Sequence, residues 1–377
     1  MTEKNKKIKI LFAINCLNIG GAPSVVLNQM KSINKDEFDP YLMTLYPSKR
    51  ANFFDKLDFL GESRIINFKL KNRSIFDFKT VCQIYKFIKK EKFDVVYTHL
   101  FLSNLLVRGL AVLARVPVIF SFEHSFYYNK KRWMMIIDFF LSKFTNKIIV
   151  PSKEIAEFTS RQEKIDIKKF KIIANPVTIF EEKNINIKRL KNELDIPEDA
   201  FVIFNLGRFS EDKGQIYLIK AAQLILKQFE NFYFVIVGHG PLEYNLRDEI
   251  KKINIEKKFK LITKPERAKE FLYISDIFVL PSIREGQPIV ALEAMMTGKP
   301  IIATSLDGTR SIIKNEINGI LVQSRNSEEI AEKIIYLYNN PEIRNKLSLE
   351  GKRESKKYSI DNNISKFEDS IKSLIKK

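Results

Sequence analysis

The sequence predicts an α/β protein built from two doubly wound parallel sheets, and three observations carry that expectation. The chain has 377 residues, more than one hydrophobic core sustains, since cores stop growing at roughly 250–300 residues. Short apolar runs alternate with longer amphipathic ones along most of its length, the pattern of β-α-β units on a parallel sheet. That alternation lapses once, near the middle, and then restarts.

In the first half, strands are expected at Ile8–Asn15, Tyr41–Tyr46, Arg64–Phe68, Val95–Thr98, Pro117–Phe122 and Lys147–Val150. Helical patterns lie between them at Ala22–Ile33, Ile75–Lys90 and Phe101–Ala114. Over Ile172–Lys191 the pattern fades: Asn175-Pro176 breaks the chain and a charged, Asn-rich stretch follows, as in an interdomain linker. The second half resumes with strands at Phe201–Leu206, Tyr233–Val237, Lys260–Ile262, Ile277–Leu280 and Pro300–Thr304. Helices fit Gln215–Gln228, Leu242–Lys252 and Pro288–Thr297, and Ser327-Glu-Glu-Ile reads as a helix start. The last piece, Ile360–Lys376, places Ile364, Phe367, Ile371 and Ile375 at helical spacing. No strand accompanies it, so it is expected to pack across a domain already built. Two such halves turn their strand C-termini toward a shared cleft, where parallel sheets bind ligands.

Composition narrows the class. Hydrophobic residues make up 45% and charged residues 29%, an ordinary globular balance. Cys16 and Cys82 stand far apart with no C-x-x-C partner, which points to a reducing, cytoplasmic compartment and away from a disulfide framework. No run approaches the ~20 apolar residues that span a bilayer. The formal charge of +19 leaves three readings: biased composition, adhesion to an anionic membrane surface, or nucleic acid. The charge is read as spread along the chain and no nucleic-acid-binding pattern occurs, so nucleic acid ranks last. The segment Phe126–Phe144 mixes basic residues with Trp133, Met134, Ile137, Phe140 and Leu141. It reads either as a core-facing amphipathic helix or as one lying at a lipid interface.

Three segments carry candidate chemistry. In Leu280–Thr304 an apolar strand runs into Glu285-Gly286-Gln287, Pro288 suits a first helical turn, and Gly298 and Pro300 stop the helix. The loop-to-helix junction presents free backbone N–H groups to an anion. Glu285 and Glu293 can each accept hydroxyl hydrogen bonds from a sugar or ribose, although Glu293 also fits a plain solvent-facing acid. In Phe201–Gln215 a strand leads to Gly207-Arg208 and then Lys213-Gly214. The two cations match a diphosphate, Arg as a fork and Lys as a point charge. In Asn15–Ser24, Gly20-Gly21 precedes a helix and lets a phosphate or acceptor approach the backbone. Neither G-x-G-x-x-G nor a Walker loop is present.

His99, His124 and His239 all fall at expected strand ends, facing the cleft. None has a second ligand at metal-binding spacing, and no D-x-D dyad occurs, so no metal site and no cofactor are expected. Arg208 and Lys213 then stand where a divalent cation would otherwise neutralise the diphosphate.

Together these pieces resemble the retaining nucleotide-sugar glycosyltransferases of family 4, the glycosyl transferases group 1. The resemblance rests on P-S-x-x-E-G-x-P-x-x-x-L-E-A-M-x-x-G-x-P at Pro281–Pro300, with seven residues between Glu285 and Glu293. G-R-x(4)-K-G at Gly207–Gly214, V-G-x-G-P at Val237–Pro241 and G-G-A at Gly20–Ala22 support it in the same order. It implies the GT-B fold, two Rossmann-like domains facing across a cleft, with the C-terminal helix packing back on the first. The domains are then 1–176 (acceptor side), 177–357 (nucleotide-sugar donor) and the crossing helix 358–377.

The resemblance also implies roles. Glu285 would lie near the donor sugar hydroxyls and Glu293 would hold the nucleotide ribose. Gly207, Arg208 and Lys213 would meet the diphosphate, and Gly286, Gln287 and Pro288 would present backbone beside the sugar. Gly20 and Gly21 would approach phosphate and acceptor, and His124, with His99, would lie near the reacting sugar. The implied reaction moves a sugar, from a UDP-sugar above all, to a glycan or lipid-linked acceptor of a surface polysaccharide or glycolipid, with retention and without metal. The implied place is the cytoplasm, peripheral on the inner face of its membrane. A nucleotide-sugar epimerase on the same fold, or a non-catalytic donor-binding partner of another transferase, stays open beside it. Two positions depart from the family pattern: Ser311 stands where an acid is often found, and His239 replaces the more usual acid in its loop.

Overall fold

The computed structural model describes residues 6–18, 20–48, 57–71, 77–177, 185–263 and 267–375. The chain divides into two compact units, Met1–Pro176 with Ile360–Lys377, and Val177–Ser359. The first contains β1 (Ile8–Ile14), α1 (Gly21–Ser32), β2 (Phe38–Thr44), β3 (Ile65–Asn67), α2 (Phe78–Glu91), β4 (Val95–His99) and α3 (Phe101–Leu113). It continues with β5 (Val118–Phe122), α4 (Arg132–Phe144), β6 (Lys147–Val150), α5 (Lys153–Glu163) and β7 (Phe170–Ile172). The second unit runs α6 (Ile187–Glu193), β8 (Phe201–Leu206), α7 (Gln215–Leu226), β9 (Phe232–Val237), α8 (Glu243–Lys252), β10 (Phe259–Ile262), α9 (Ala268–Tyr273) and β11 (Ile277–Leu280). It closes with α10 (Ile289–Met296), β12 (Ile301–Thr304), α11 (Asp307–Arg310), β13 (Ile320–Val322), α12 (Ser327–Asn339) and α13 (Pro341–Ser355). The last helix, α14 (Ile360–Ile375), belongs to the first unit.

The first sheet has the order β3-β2-β1-β4-β5-β6-β7 and the second β10-β9-β8-β11-β12-β13; all their pairings are parallel. Central strands such as β1 (IKILFAI) and β9 (FYFVIV) are buried on both faces, which is why they read as unbroken apolar runs rather than alternating ones. Strand order reverses between β1 and β4 in one sheet and between β8 and β11 in the other. Ligands of such sheets bind outside the strand C-termini at that reversal.

Helix α14 docks through Ile364, Phe367 and Ile371, all buried. The Phe367 ring lies 4.9 Å from Tyr97 and 6.1 Å from Phe12. Polar contacts fix its register: Glu368 accepts from the Asn34 amide, Lys372 pairs with Glu37, and Asn363 donates to the Ala174 carbonyl. The expected packing of this helix on the first domain is what the structure shows.

Several expectations need correction. The segment Ile172–Lys191 is not patternless: β7 ends at Ile172, and α6 starts at Ile187 behind Asn186, whose side chain accepts from the Arg189 amide. Residues 178–184, the middle of that stretch, lie outside the described residues, as do Ile75 and Phe76 at the expected start of α2 and Lys376 at the expected end of α14. Edge strands β7 and β13, three residues each, escape a periodicity reading because they are too short. The charge is not spread evenly either. The first unit holds 35 Lys+Arg against 19 Asp+Glu, the second 29 against 26, so +16 of the +19 resides in the first.

Candidate functional site

The candidate donor residues gather at the C-terminal ends of β8 and β11. Beyond β8 the chain passes Gly207 and exposed Arg208, then a 3-10 turn over Glu211–Lys213 that ends at Gly214. Beyond β11 it passes Pro281 and Ser282 into the loop that carries Glu285. The two loops are stitched together by backbone: the amides of Ile283 and Arg284 both donate to the Asp212 carbonyl, at 2.8 and 3.2 Å. Gly214 has φ +62°, and a Cβ there would sit 2.1 Å from the Pro281 carbonyl oxygen. Glycine is therefore required twice over, for the left-handed backbone and for the close approach.

That stitching brings Lys213 Nζ to 2.8 Å from Glu285 Oε1. The same oxygen accepts from Ser282 Oγ at 2.7 Å, and the Glu285 side chain is only 6% exposed. A largely buried carboxylate held by an ammonium and a hydroxyl stays oriented, and Oε2 remains to accept from a ligand hydroxyl. The ammonium has three donors, so Lys213 can hold Glu285 and a phosphate oxygen together. Gln215 Nε2 donates to the Arg208 carbonyl at 3.0 Å, fixing the backbone beneath the guanidinium.

A second layer supports the Glu285 loop. Thr304 Oγ1 donates to the Ser282 carbonyl, and Thr309 Oγ1 to the Thr304 carbonyl, each at 2.5 Å. A Cβ on Gly308 would lie 1.7 Å from the Gly286 carbonyl oxygen, so the α11 turn rests directly on the backbone of the Glu-Gly-Gln loop. Gln287 and Pro288 are buried, and Pro288 is the N-cap of α10 rather than its first turn. Glu293 is not the plain solvent-facing acid: its side chain is 17% exposed and pairs with Lys269 of α9 at 2.9 Å. Ser282, Thr304, Gly308 and Lys269 went unsingled in the sequence. Only Ser282, three residues before Glu285, carried a local signal.

His239 is half-buried, and its carbonyl accepts from the Phe209 amide at 2.9 Å. Gly238 and Gly240 face the 207–209 backbone, where added Cβ atoms would lie 1.9 Å from the Gly207 oxygen and 2.3 Å from the Phe209 oxygen. The V-G-x-G-P motif therefore shapes the Arg208 loop by close packing.

In the first unit, Gly20 is the exposed N-cap of α1, which has no side-chain cap. First-turn amides of that helix are thus left for an anion. At the end of β1, Asn15 Oδ1 accepts from the Ser103 amide and hydroxyl at 2.9 and 3.0 Å. Asn15 supplies the cap of α3 that Leu100 cannot. Leu100 itself has φ +68° and ψ 158°, a conformation that costs a non-glycine residue about 1–3 kcal/mol, and it sits directly after His99.

His99 does not face a ligand. It is fully buried, stacked on Phe122 and Phe12, with Nδ1 3.1 Å from His124 Nε2. His124 stacks on Phe122 at 4.0 Å and keeps part of its surface open. Burial, and for His99 also the neighbouring imidazole, holds both rings neutral: His99 falls well below the ordinary range and His124 to about 3.

Beside His124 lies a buried ionic cluster that the sequence did not announce. Arg108 binds Asp138; Lys130 binds Asp138 at 2.6 Å and also Glu163; Asn104 Nδ2 donates to Glu123 at 3.1 Å. Two cations meet three carboxylates, so burial and mutual repulsion push Glu123 up and Glu163 up to about 8. Burial opposes the charge of Lys130, but Glu123, Asp138 and Glu163 outweigh it and raise the ammonium. The cluster ties the 123–131 loop to α3, α4 and α5. Among the described residues, no group of three or more His, Cys, Asp or Glu side chains is placed to hold a metal ion.

Comparison with known proteins follows the same two-part division. The Glycosyltransferase Family 4 profile matches residues 19–179, and the profile of glycosyl transferases group 1 matches residues 186–354. The chain is 28% identical over 350 residues to the UDP-Gal:α-D-GlcNAc-diphosphoundecaprenol α-1,3-galactosyltransferase of Escherichia coli, covering 89% of each. It is 24% identical to the α-1,4-N-acetyl-D-galactosaminyltransferase of Campylobacter jejuni that acts on a diNAcBac-PP-undecaprenol glycan, covering 94% of this chain and 95% of that one. Among solved structures, HepE of Anabaena in complex with UDP and glucose superposes with a TM-score of 0.84 at 17% identity, over 97% of this chain and 100% of the other.

Proposed function

The chain belongs to the group 1, family 4 glycosyltransferases of the GT-B fold, and on that premise we propose that it moves a hexosyl unit from a UDP-sugar to a lipid-linked or polysaccharide acceptor, with retention and without a metal ion. The observation that carries the reading is the Lys213–Glu285–Ser282 cluster at the C-terminal ends of β8 and β11. It sets a cation and an oriented carboxylate where a doubly wound sheet binds its ligand.

In this reading Arg208 and Lys213 take up the charge that develops on the departing diphosphate, the strongest stabilisation such a site can offer the transition state. Glu285 accepts from sugar hydroxyls through its second oxygen, and Glu293 holds the ribose while Lys269 keeps it ionised. The Gly286–Pro288 backbone lies beside the sugar. Gly20, Gly21 and His124 serve the acceptor side, and His99 acts through His124. The acceptor hydroxyl attacks the anomeric carbon on the face the diphosphate leaves, and its proton passes to the leaving phosphate oxygen. The similar proteins of E. coli and C. jejuni are described as acting on undecaprenol-linked glycans, which supports a lipid-linked acceptor reached at the inner face of the cytoplasmic membrane.

The test is incubation with a panel of nucleotide-sugars in EDTA, with and without undecaprenyl-diphosphate glycans, followed by NMR of the products. Transfer with an α-linked product from an α-linked donor is expected. An epimerised free nucleotide-sugar, or donor binding with no turnover on any acceptor, overturns the reading.

A further inference from the structure

Helix α4 turns a row of large apolar side chains outward. Trp133 is 45% exposed, Ile136 56%, Phe140 56% and Phe144 62%, spaced at three, four and four residues, down one face of a helix. Leu113, 67% exposed at the end of the neighbouring α3, extends the row. Folding gains nothing from such exposure, and contiguous apolar surface of this kind marks an interaction site. The cations around it are exposed as well: Lys131, Arg132, Lys143 and Arg115. Lys143 lays its stem across the row, with Nζ 5.0 Å from the Phe139 ring centre and 5.4 Å from that of Phe140. The one acid of α4, Asp138, points inward and is consumed by Arg108 and Lys130. The outward face is therefore apolar and cationic without an exposed acid.

We infer that this face of α4 seats the first unit on an anionic lipid surface, with the aromatic row at the acyl boundary and the lysine and arginine heads among the lipid phosphates. The charge distribution argues for that occupant. A composition bias would load both units alike, yet the unit bearing α4 carries +16 and the other +3. Two copies of a +16 surface repel each other in a self-complementary dimer, whereas an anionic bilayer attracts each basic residue near it, by on the order of fivefold in partitioning. Long cationic side chains lying over apolar ones suit a boundary where one side is hydrocarbon and the other water. The surface gives the lipid-linked acceptor of the proposed function a place to be met. It rests on that reading for its purpose only, since binding is measured without turnover.

The single tryptophan of the chain is Trp133, so its emission reports on this face directly. The full-length protein is titrated with vesicles of phosphatidylcholine alone and of phosphatidylcholine with phosphatidylglycerol, at low and high salt. A blue shift of Trp133 and co-flotation with the anionic vesicles alone, weakened by salt, are expected. Ile136→Glu with Phe140→Glu should weaken binding at least tenfold, and Lys131→Glu with Lys143→Glu comparably, with melting temperature and nucleotide-sugar hydrolysis in solution unchanged. No shift on anionic vesicles at low salt overturns the inference. So does an equal shift on neutral ones, or a concentration-dependent dimer that the same substitutions abolish. Failure here with transfer to a soluble acceptor intact removes the surface and leaves the transferase.

Discussion

Lys213 Nζ lies 2.8 Å from Glu285 Oε1, joining two loops 72 residues apart in the chain. Neither charge is spent on the fold's core; the pair holds a cation and a carboxylate ready at the sheet's ligand edge. Lys213→Ala should therefore lower kcat by about 100- to 1000-fold, the usual loss when a donor to developing charge is removed. The lysine stem is partly exposed, so the melting temperature should move by only a few degrees. Release of UDP in EDTA measures the first quantity and a thermal melt the second. An unchanged kcat would remove Lys213 from the leaving-group site.

Gly214 and Gly308 are expected to be intolerant of any side chain, and Gly207 to be tolerant. A Cβ at Gly214 or Gly308 meets a carbonyl oxygen at 2.1 or 1.7 Å, while at Gly207 the nearest atom is Gln215 Nε2 at 3.4 Å. Gly214→Ala and Gly308→Ala should each destabilise by more than about 1 kcal/mol and weaken UDP binding. Gly207→Ala should keep the melting temperature and raise KM for the donor, because its added methyl stands where phosphate approaches. Calorimetric titration with UDP on all three variants separates the cases.

Lys130→Met should be the most destabilising single change in the first unit outside its apolar core, by about 3–5 kcal/mol, the cost of stranding buried charges. The side chain is 4% exposed and serves both Asp138 and Glu163. Urea unfolding measures it. Lys130→Arg, which restores the charge, should recover part of the loss, and a Met variant as stable as the parent would show that the cluster is dispensable.

Protonation should act on the first unit in two opposite ways. His124 is depressed from 6.5 to about 3, so the folded state prefers the neutral ring. Its contribution is present above pH 6.5 and lost as pH falls from there toward 3, by on the order of 1 kcal/mol per unit. Glu163 is raised from 4.5 to about 8, so the folded state prefers the protonated acid. That contribution is present below pH 4.5 and lost as pH rises through 8. His124→Asn should flatten the acid limb between pH 6.5 and 4, and Glu163→Gln the limb between pH 5 and 8, each followed as melting temperature against pH.

How much was legible depended on range. The central strands β1, β8, β9 and β11 announced themselves because both faces are buried and their apolar runs are unbroken. The edge strands β7 and β13 did not, since three residues with a single paired neighbour make no pattern. Likewise Glu285 and Lys213 could be named from their motifs. That Gly308 supports Glu285, that Lys269 pairs with Glu293, and that His99 hides behind His124 could not be.

The amino-acid sequence by itself determined the parallel α/β class, the candidate donor motifs, and the apolar faces of α1, α3, α10 and α14, because these follow from periodicity and short-range spacing. The tertiary structure decided which charges are spent and which are free. Folding buries Arg108, Lys130 and Asp138 against one another, leaves the row from Trp133 to Phe144 in the open, and gathers +16 on one unit. Burial and pairing are properties of distance in space, and residues far apart in a chain acquire them only when the sheets have formed.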